Sequence, residues 1–141
     1  SKLSPHPDEG SGLFMLNTTA AALVSENKAF SFPASVDSMA IDTTEDHVSM
    51  GSVAARKAMA IIANPANVLA LELACACQGI NLHSPLRASP PTQALLKAVR
   101  GFVPFVEHDR PLSVEIATLA DAILSGEIAG SVEQSLGRTL A

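Results

Sequence analysis

The sequence has no tryptophan and no tyrosine, and aromatic residues make up only 4% of it. So few rings argue against stacking platforms for bases or sugars. Basic residues are sparse too, nine Lys and Arg against fourteen acids, and they are scattered. They form no basic stripe of the kind nucleic acid demands. The net charge of −5 is mild and favours solubility. No apolar run approaches the roughly 20 residues that a membrane span needs. The N-terminus lacks the charged-then-apolar pattern of a secretory signal. These absences predict a cytoplasmic protein with neither nucleic acid nor membrane as partner.

Only two cysteines occur, Cys75 and Cys77. Residues two apart on a helix point about 200° away from each other, so these two cannot pair within one. They read as reduced, buried thiols. Neither cysteine has zinc-ligand spacing with a histidine, and no two histidines have the spacing of a helical zinc site. His6, His83 and His108 are far apart in the chain and fall in predicted loops. No metal is expected. There is no Gly-x-Ser-x-Gly elbow. Gly10-Ser11-Gly12 lacks the strand context of a phosphate loop.

What is present is aliphatic and helical. The 141 residues suit a single domain, and 48% are hydrophobic. Ala, Leu and Met are good helix formers, so the expected fold is all-α. Residues 1–11 read as a flexible entry, or as a loop cut from something larger. A first helix is predicted from about Ser11 to Lys28, with Leu13, Leu16, Ala20 and Leu23 on one face. Residues 30–42 form a long connection with turn chemistry. A second helix is predicted from Thr43 or Thr44 towards Gln78. Val48, Ala55, Met59, Ile62, Leu69 and Leu73 spread around it, which predicts burial on most sides. Pro65 should kink or split it, and Gly79 should stop it. Shorter helices follow over about 91–103 and 113–125, the first capped by Ser89 and ended by Pro104, the second stopped by Gly126. The last dozen residues have a weak pattern, either a short helix or a frayed tail.

The start of the second helix concentrates the chemistry. It reads Thr43-Thr44-Glu45-Asp46-His47-Val48-Ser49-Met50-Gly51. Thr43 and Asp46 have capping-box spacing. Glu45 and Asp46 also sit where a helix dipole favours negative charge. A carboxylate here is therefore either a cap or a base or substrate anchor at a cleft. His47 on the same turn either contacts a ligand or is held at an interface. Spacing alone leaves both readings open.

Several ordered blocks resemble the C-terminal part of the aromatic amino acid ammonia-lyase and aminomutase family, the histidine ammonia-lyases above all. They are Ala20-Ala21-Ala22-Leu23, Ser25-Glu26-Asn27-Lys28, Ser35-Val36-Asp37-Ser38 and the stretch from Thr43 to Gly51. The resemblance continues in Ala54-Ala55-Arg56, Leu69-Ala70-Leu71-Glu72-Leu73, Ala76-Cys77-Gln78-Gly79 and Asp109-Arg110-Pro111-Leu112. It implies long helices of a central bundle followed by shorter C-terminal helices. It implies a single helical segment, residues 1–141, of a larger subunit, partnered by an N-terminal part and assembled as a homotetramer. The family's reaction is non-hydrolytic loss of ammonia from an aromatic amino acid. Its electrophile, a methylidene-imidazolone, forms from an internal Ala-Ser-Gly.

The family motif Gln-Glu-Asp-His falls on Thr44, Glu45, Asp46 and His47. It implies Glu45 as the catalytic-site carboxylate beside the substrate side chain, with Thr44 and His47 as further substrate-binding residues. A carboxylate suits an imidazole, which can donate a hydrogen bond to it. Relatives acting on phenylalanine or tyrosine usually carry Gln at the position of Glu45, so the resemblance leans towards histidine. Two departures stand out. Thr44 replaces the family's Gln, and the approach from Ser38 to Glu45 is shorter and lacks the usual Pro. The sequence also contains no Ala-Ser-Gly. The electrophile is thus expected from a missing N-terminal part, and this chain alone is not expected to eliminate ammonia.

Overall fold

In the computed structural model, residues 2–34, 49–137 and 139 are described. They form five helices: α1 (Phe14–Phe30), α2 (Gly51–Leu82), α3 (Pro90–Arg100), α4 (Ser113–Leu124) and α5 (Glu127–Leu136). The all-α expectation holds. Helix α1 packs along α2, which also packs on α4 and α3; α5 closes against α3 and α4.

The first helix starts later than predicted, because Leu13 stands at its N-cap with no side-chain cap bond. Its predicted face is correct. Leu13 is buried, and Leu16, Ala20 and Leu23 pack partly buried on the same core. Residues 2–13 are a fastened loop rather than a flexible entry. Leu13 N donates to Lys2 O at 2.9 Å, and Lys2 Nζ donates to the Pro7 and Gly10 carbonyls at 3.0 and 2.9 Å. The Asp109 carboxylate then accepts from the Ser11 and Gly12 amides at 2.7 and 2.9 Å. An acid just ahead of a helix N-terminus is electrostatically favourable. Two glycines make this approach feasible. A Cβ on Gly10 would lie 2.6 Å from Asp109 Oδ2, and one on Gly12, at φ +57, would lie 2.2 Å from Lys2 O.

Helix α2 differs most from expectation. Residues 49 and 50 are not helical, so no continuous helix runs from Thr43 to Gln78. Pro65 lies inside α2 without splitting it, and the helix passes through Gly79 to Leu82. Gly79 does not stop it because Gln78, fully buried, holds this stretch in place. Gln78 Nε2 donates to Val106 O at 2.7 Å, and its Oε1 accepts from Val106 N and Arg100 Nη2, both at 3.2 Å. Burial is also uneven. Ala66, Ala70, Leu71, Ala74 and Cys77 are buried, whereas Met59 and Ile62 are 73% and 64% exposed. The predicted all-round burial therefore fails for the N-terminal half of α2.

The same helix corrects the reading of apolar runs. By length and composition α2 is apolar enough to cross a membrane. Its small, buried residues are nevertheless spent on contact with its neighbours, as in the core helix of a helical bundle.

The C-terminal helices follow local chemistry closely. Helix α3 opens with Pro at its first positions and Ser89 at the N-cap. The Ser89 hydroxyl meets Thr92 Oγ1 at 3.0 Å and makes no cap bond to the backbone. The helix ends at Arg100, ahead of Pro104, because the Gly101–Val103 amides turn back onto Ala98 and Val99 carbonyls. In α4, Ile116, Leu119 and Ala120 are buried and Ile123 is partly buried, as their spacing predicts. Gly126, at φ +81, ends α4 and starts α5. The weak C-terminal pattern resolves into α5, anchored by Ile128 and Val132.

Candidate functional site

Thr44, Glu45 and His47, with the capping pair Thr43 and Asp46, lie outside the described residues. What is described is the frame on either side of them. Helices α1 and α2 run antiparallel: Asn27 near the end of α1 meets Ile61 and Asn64, while Leu13 and Leu16 share a groove with Leu71 and Cys75. The C-terminal end of α1 and the N-terminal start of α2 therefore lie at the same end of this hairpin.

The hairpin is clamped by polar groups close to that end. Pro65 has no N–H, so the helix cannot satisfy the carbonyl four residues earlier, that of Ile61. Asn27 supplies the missing donor from across the interface, with Nδ2 to Ile61 O at 3.2 Å. The other end of the same amide is also used, since Asn64 Nδ2 donates to Asn27 Oδ1 at 2.8 Å. Asn64 also donates to Glu26 Oε2 at 2.8 Å. One turn nearer the helix start, Lys57 Nζ donates to Phe32 O. On the far side of the segment, Ser49 Oγ accepts from Gly51 N at 3.3 Å, just ahead of α2. The conspicuous Ser25-Glu26-Asn27-Lys28 block thus acts as a helix clamp. Sequence reading missed Asn27 and Asn64. The available signal was Pro65 within a helical pattern, which demands an outside donor for Ile61 O.

Between α1 and α2 lies a groove of about 690 Å³, lined by Leu13, Phe14, Leu71 and Cys75 with Lys2 and Glu72. It is largely aliphatic and lies towards the end of the hairpin where α1 starts. Burial pushes the Cys75 and Cys77 thiols above their usual range, with Arg100 partly opposing the rise at Cys77. Burial also lowers Arg100, partly countered by Cys77. A raised thiol pKa leaves less thiolate, the nucleophilic form, so neither cysteine is primed for attack.

Two histidines predicted to be far apart are neighbours. His6 and His108 stack with ring centroids 5.1 Å apart and planes 7° from parallel. His6 Nε2 lies 3.0 Å from Glu107 Oε1. Both follow from Asp109 pulling the 2–13 loop onto residues 107–109, a contact between sequence ends that spacing does not reveal. His83 Nδ1 contacts Gly79 O at 2.7 Å, one helical turn earlier.

Comparison with known proteins supplies the family. A family model described as aromatic amino acid lyase matches residues 1–101, a range that includes the stretch from Thr43 to Gly51. Histidine ammonia-lyase of Symbiobacterium thermophilum is 47% identical over 128 residues, 90% of this chain and 25% of the relative. Histidine ammonia-lyase of Bacillus subtilis is 44% identical over 84% of this chain and 24% of its own length. Among solved structures, histidine ammonia-lyase from Trypanosoma cruzi matches with a TM-score of 0.85 at 39% identity, covering 96% of this chain and 27% of that one. Tyrosine aminomutase from Streptomyces globisporus matches with a TM-score of 0.77 at 32% identity, covering 92% and 25%. The chain spans about a quarter of the length of the curated relatives it matches. It is a helical region of a larger protein type, and it belongs to the aromatic amino acid lyase family.

Proposed function

We propose that this chain is the C-terminal region of a cytoplasmic, homotetrameric ammonia-lyase subunit that acts on histidine. In this reading Glu45 is the substrate-side carboxylate and accepts a hydrogen bond from the imidazole N–H. Thr44 and His47 line the same wall. The observation that carries the proposal is the likeness to proteins named histidine ammonia-lyase over about nine-tenths of the chain, within a family match that runs through Glu45. The clamp at Asn27, Asn64 and Lys57 supports it by fixing the end of α1 against the first half of α2, the two helices that flank Glu45 in sequence.

The family's electrophile is built from Ala-Ser-Gly, and this sequence contains no such tripeptide. Its residues therefore do not build the methylidene-imidazolone. When present in the assembled enzyme, that group supplies the electrophile for amine loss. This chain contributes substrate recognition and the carboxylate.

The test joins the chain to the N-terminal part of its subunit and follows release of the unsaturated acid by ultraviolet absorbance. Histidine is expected to give urocanate. Glu45→Gln should lower kcat/KM for histidine by about ten- to a hundredfold, the worth of one charge-assisted hydrogen bond. It should also shift preference towards phenylalanine or tyrosine. Product analysis separates elimination from amine migration, which matters because a tyrosine aminomutase shares the fold.

A second reading, a catalytically inactive scaffold or regulatory subunit, is favoured by one feature. Thr44 stands where the family motif has Gln, and its shorter side chain cannot make the same amide contacts. If the assembled protein releases no acid from any aromatic amino acid and Glu45→Gln changes nothing, the scaffold reading stands instead.

A further inference from the structure

A second concave site lies away from the hairpin, between α3 and α5. It is an open concavity of about 940 Å³. Lys97 and Arg100, one turn apart on α3, share one wall. Among the described residues no Asp or Glu lines it, although the chain carries fourteen acids against nine basic residues. Leu96, Phe105 and Leu136 give it an apolar side, and Gln93 and Ser135 add neutral polar groups.

The two cations play different parts. Arg100 is fixed. Its Nε and Nη2 donate to Asn81 Oδ1 at 2.9 and 2.7 Å, Nη1 to Val103 O at 2.9 Å, and Nη2 to Gln78 Oε1 at 3.2 Å. Every one of these acceptors is neutral, so its hydrogen bonds are satisfied while its charge is not. The guanidinium also lies over the Phe105 ring, 5.7 Å from its centroid. Lys97 is exposed, and it makes no ion pair or hydrogen bond among the described residues.

Cations in the last turn of a helix also favour its dipole, which accounts for basic residues at this end of α3. The dipole does not account for an amphipathic cleft beside them that excludes every acid. An uncompensated, immobilised positive charge next to apolar surface favours an anion with an apolar body.

We propose that this cleft binds a small carboxylate carrying an aromatic or branched apolar group, with the Lys97 ammonium holding the carboxylate. The apolar body rests against Leu96, Phe105 and Leu136. Arg100 sets the field and does not move. The inference rests on α3, α5, Phe105 and the C-terminal end of α2 at Asn81, and does not depend on the lyase reading.

The test titrates the full chain with benzoate, and separately with neutral benzamide, at constant ionic strength. Amide shifts are followed by nuclear magnetic resonance. Benzoate should shift the amides of Leu96, Lys97, Phe105 and Leu136 in a saturable way. Benzamide, alike in shape but uncharged, should bind about fivefold more weakly or worse, as expected for loss of one exposed charge pair. Lys97→Gln, an exposed change that leaves the core intact, should weaken benzoate by a similar factor and leave benzamide unaffected. Equal binding of the two probes, shifts centred elsewhere, or an unchanged benzoate affinity in Lys97→Gln would each overturn the proposal.

Discussion

The two halves of this molecule are held together by different physics. Residues 99–132 bury their apolar groups in a core shared with the C-terminal half of α2: Val99, Val103, Leu119 and Ile128 are all nearly inaccessible. The far end of the α1–α2 hairpin does the reverse. It exposes Met59, Ile62 and Phe32, and it is closed by side-chain amides and an ammonium group. A region that covers its own apolar surface is a core. A region that exposes such surface while fixing its backbone with polar clamps is a surface held in shape for something to be laid against it. Residues 35–48, which include Glu45, connect the two helices of that hairpin in sequence.

Gln78 joins the two halves, and its loss should give the largest effect. It is fully buried and satisfies both the N–H and the C=O of Val106 as well as one Arg100 donor. Gln78→Leu keeps the volume and leaves those groups unpaired in a dry place. The expected cost is about 3 kcal/mol, since each unsatisfied buried group costs about 1–3 kcal/mol. Urea unfolding monitored by circular dichroism measures it. A cost below about 1 kcal/mol would mean that water reaches Val106 and that the halves are not joined here.

Asn27 tests the clamp. Asn27→Ala removes the donor to Ile61 O and the acceptor of Asn64. The expected loss is about 1–2 kcal/mol, somewhat offset by the better helix propensity of Ala. Pro65→Ala would restore a backbone donor to Ile61 O. It also stabilises any helix interior, so only the interaction between the two changes is informative. In the Pro65→Ala background, Asn27→Ala should cost about 1 kcal/mol less than in the native background. Strict additivity would show that Asn27 does not stand in for the missing N–H.

What could be read from the sequence follows the same division. The core-facing sides of α1 and α4 were legible because each helix carries one apolar stripe with a period near 3.6. The stops at Gly126 and the prolines of α3 were legible because glycine and proline act locally. Three features were not. The start of α2 at Gly51 rests on no side-chain cap. The fastening of residues 2–13 depends on Asp109, about a hundred residues away, and so does the meeting of His6 with His108. The passage of α2 through Gly79 depends on Val106 holding Gln78. The last two are tertiary contacts overriding a local signal. Of the site itself, Thr44, Glu45 and His47 were named from the family motif. These three lie outside the described residues, and the clamp between α1 and α2 was hidden in an ordinary-looking Asn and in the carbonyl that Pro65 leaves without a helical donor.

The smallest effect is expected where the sequence reading was most confident of a core. Ile62 belongs to the apolar pattern of α2 and yet is 64% exposed. A side chain that stays mostly in water loses little on truncation, and surface changes fall within about 0.5 kcal/mol. Ile62→Ala in this chain should therefore barely move the urea midpoint. If the proposed assembly covers the hairpin, the same change removes apolar area that has left water. The cost should then rise to about 1–2 kcal/mol, read as weaker assembly by sedimentation. A cost of that size already present in the chain alone would mean that the hairpin folds back on itself, and the contrast between a self-covered half and a waiting half would be lost. An equally small cost in both settings would instead leave Ile62 at the surface of the assembly and move the covered face elsewhere on α2.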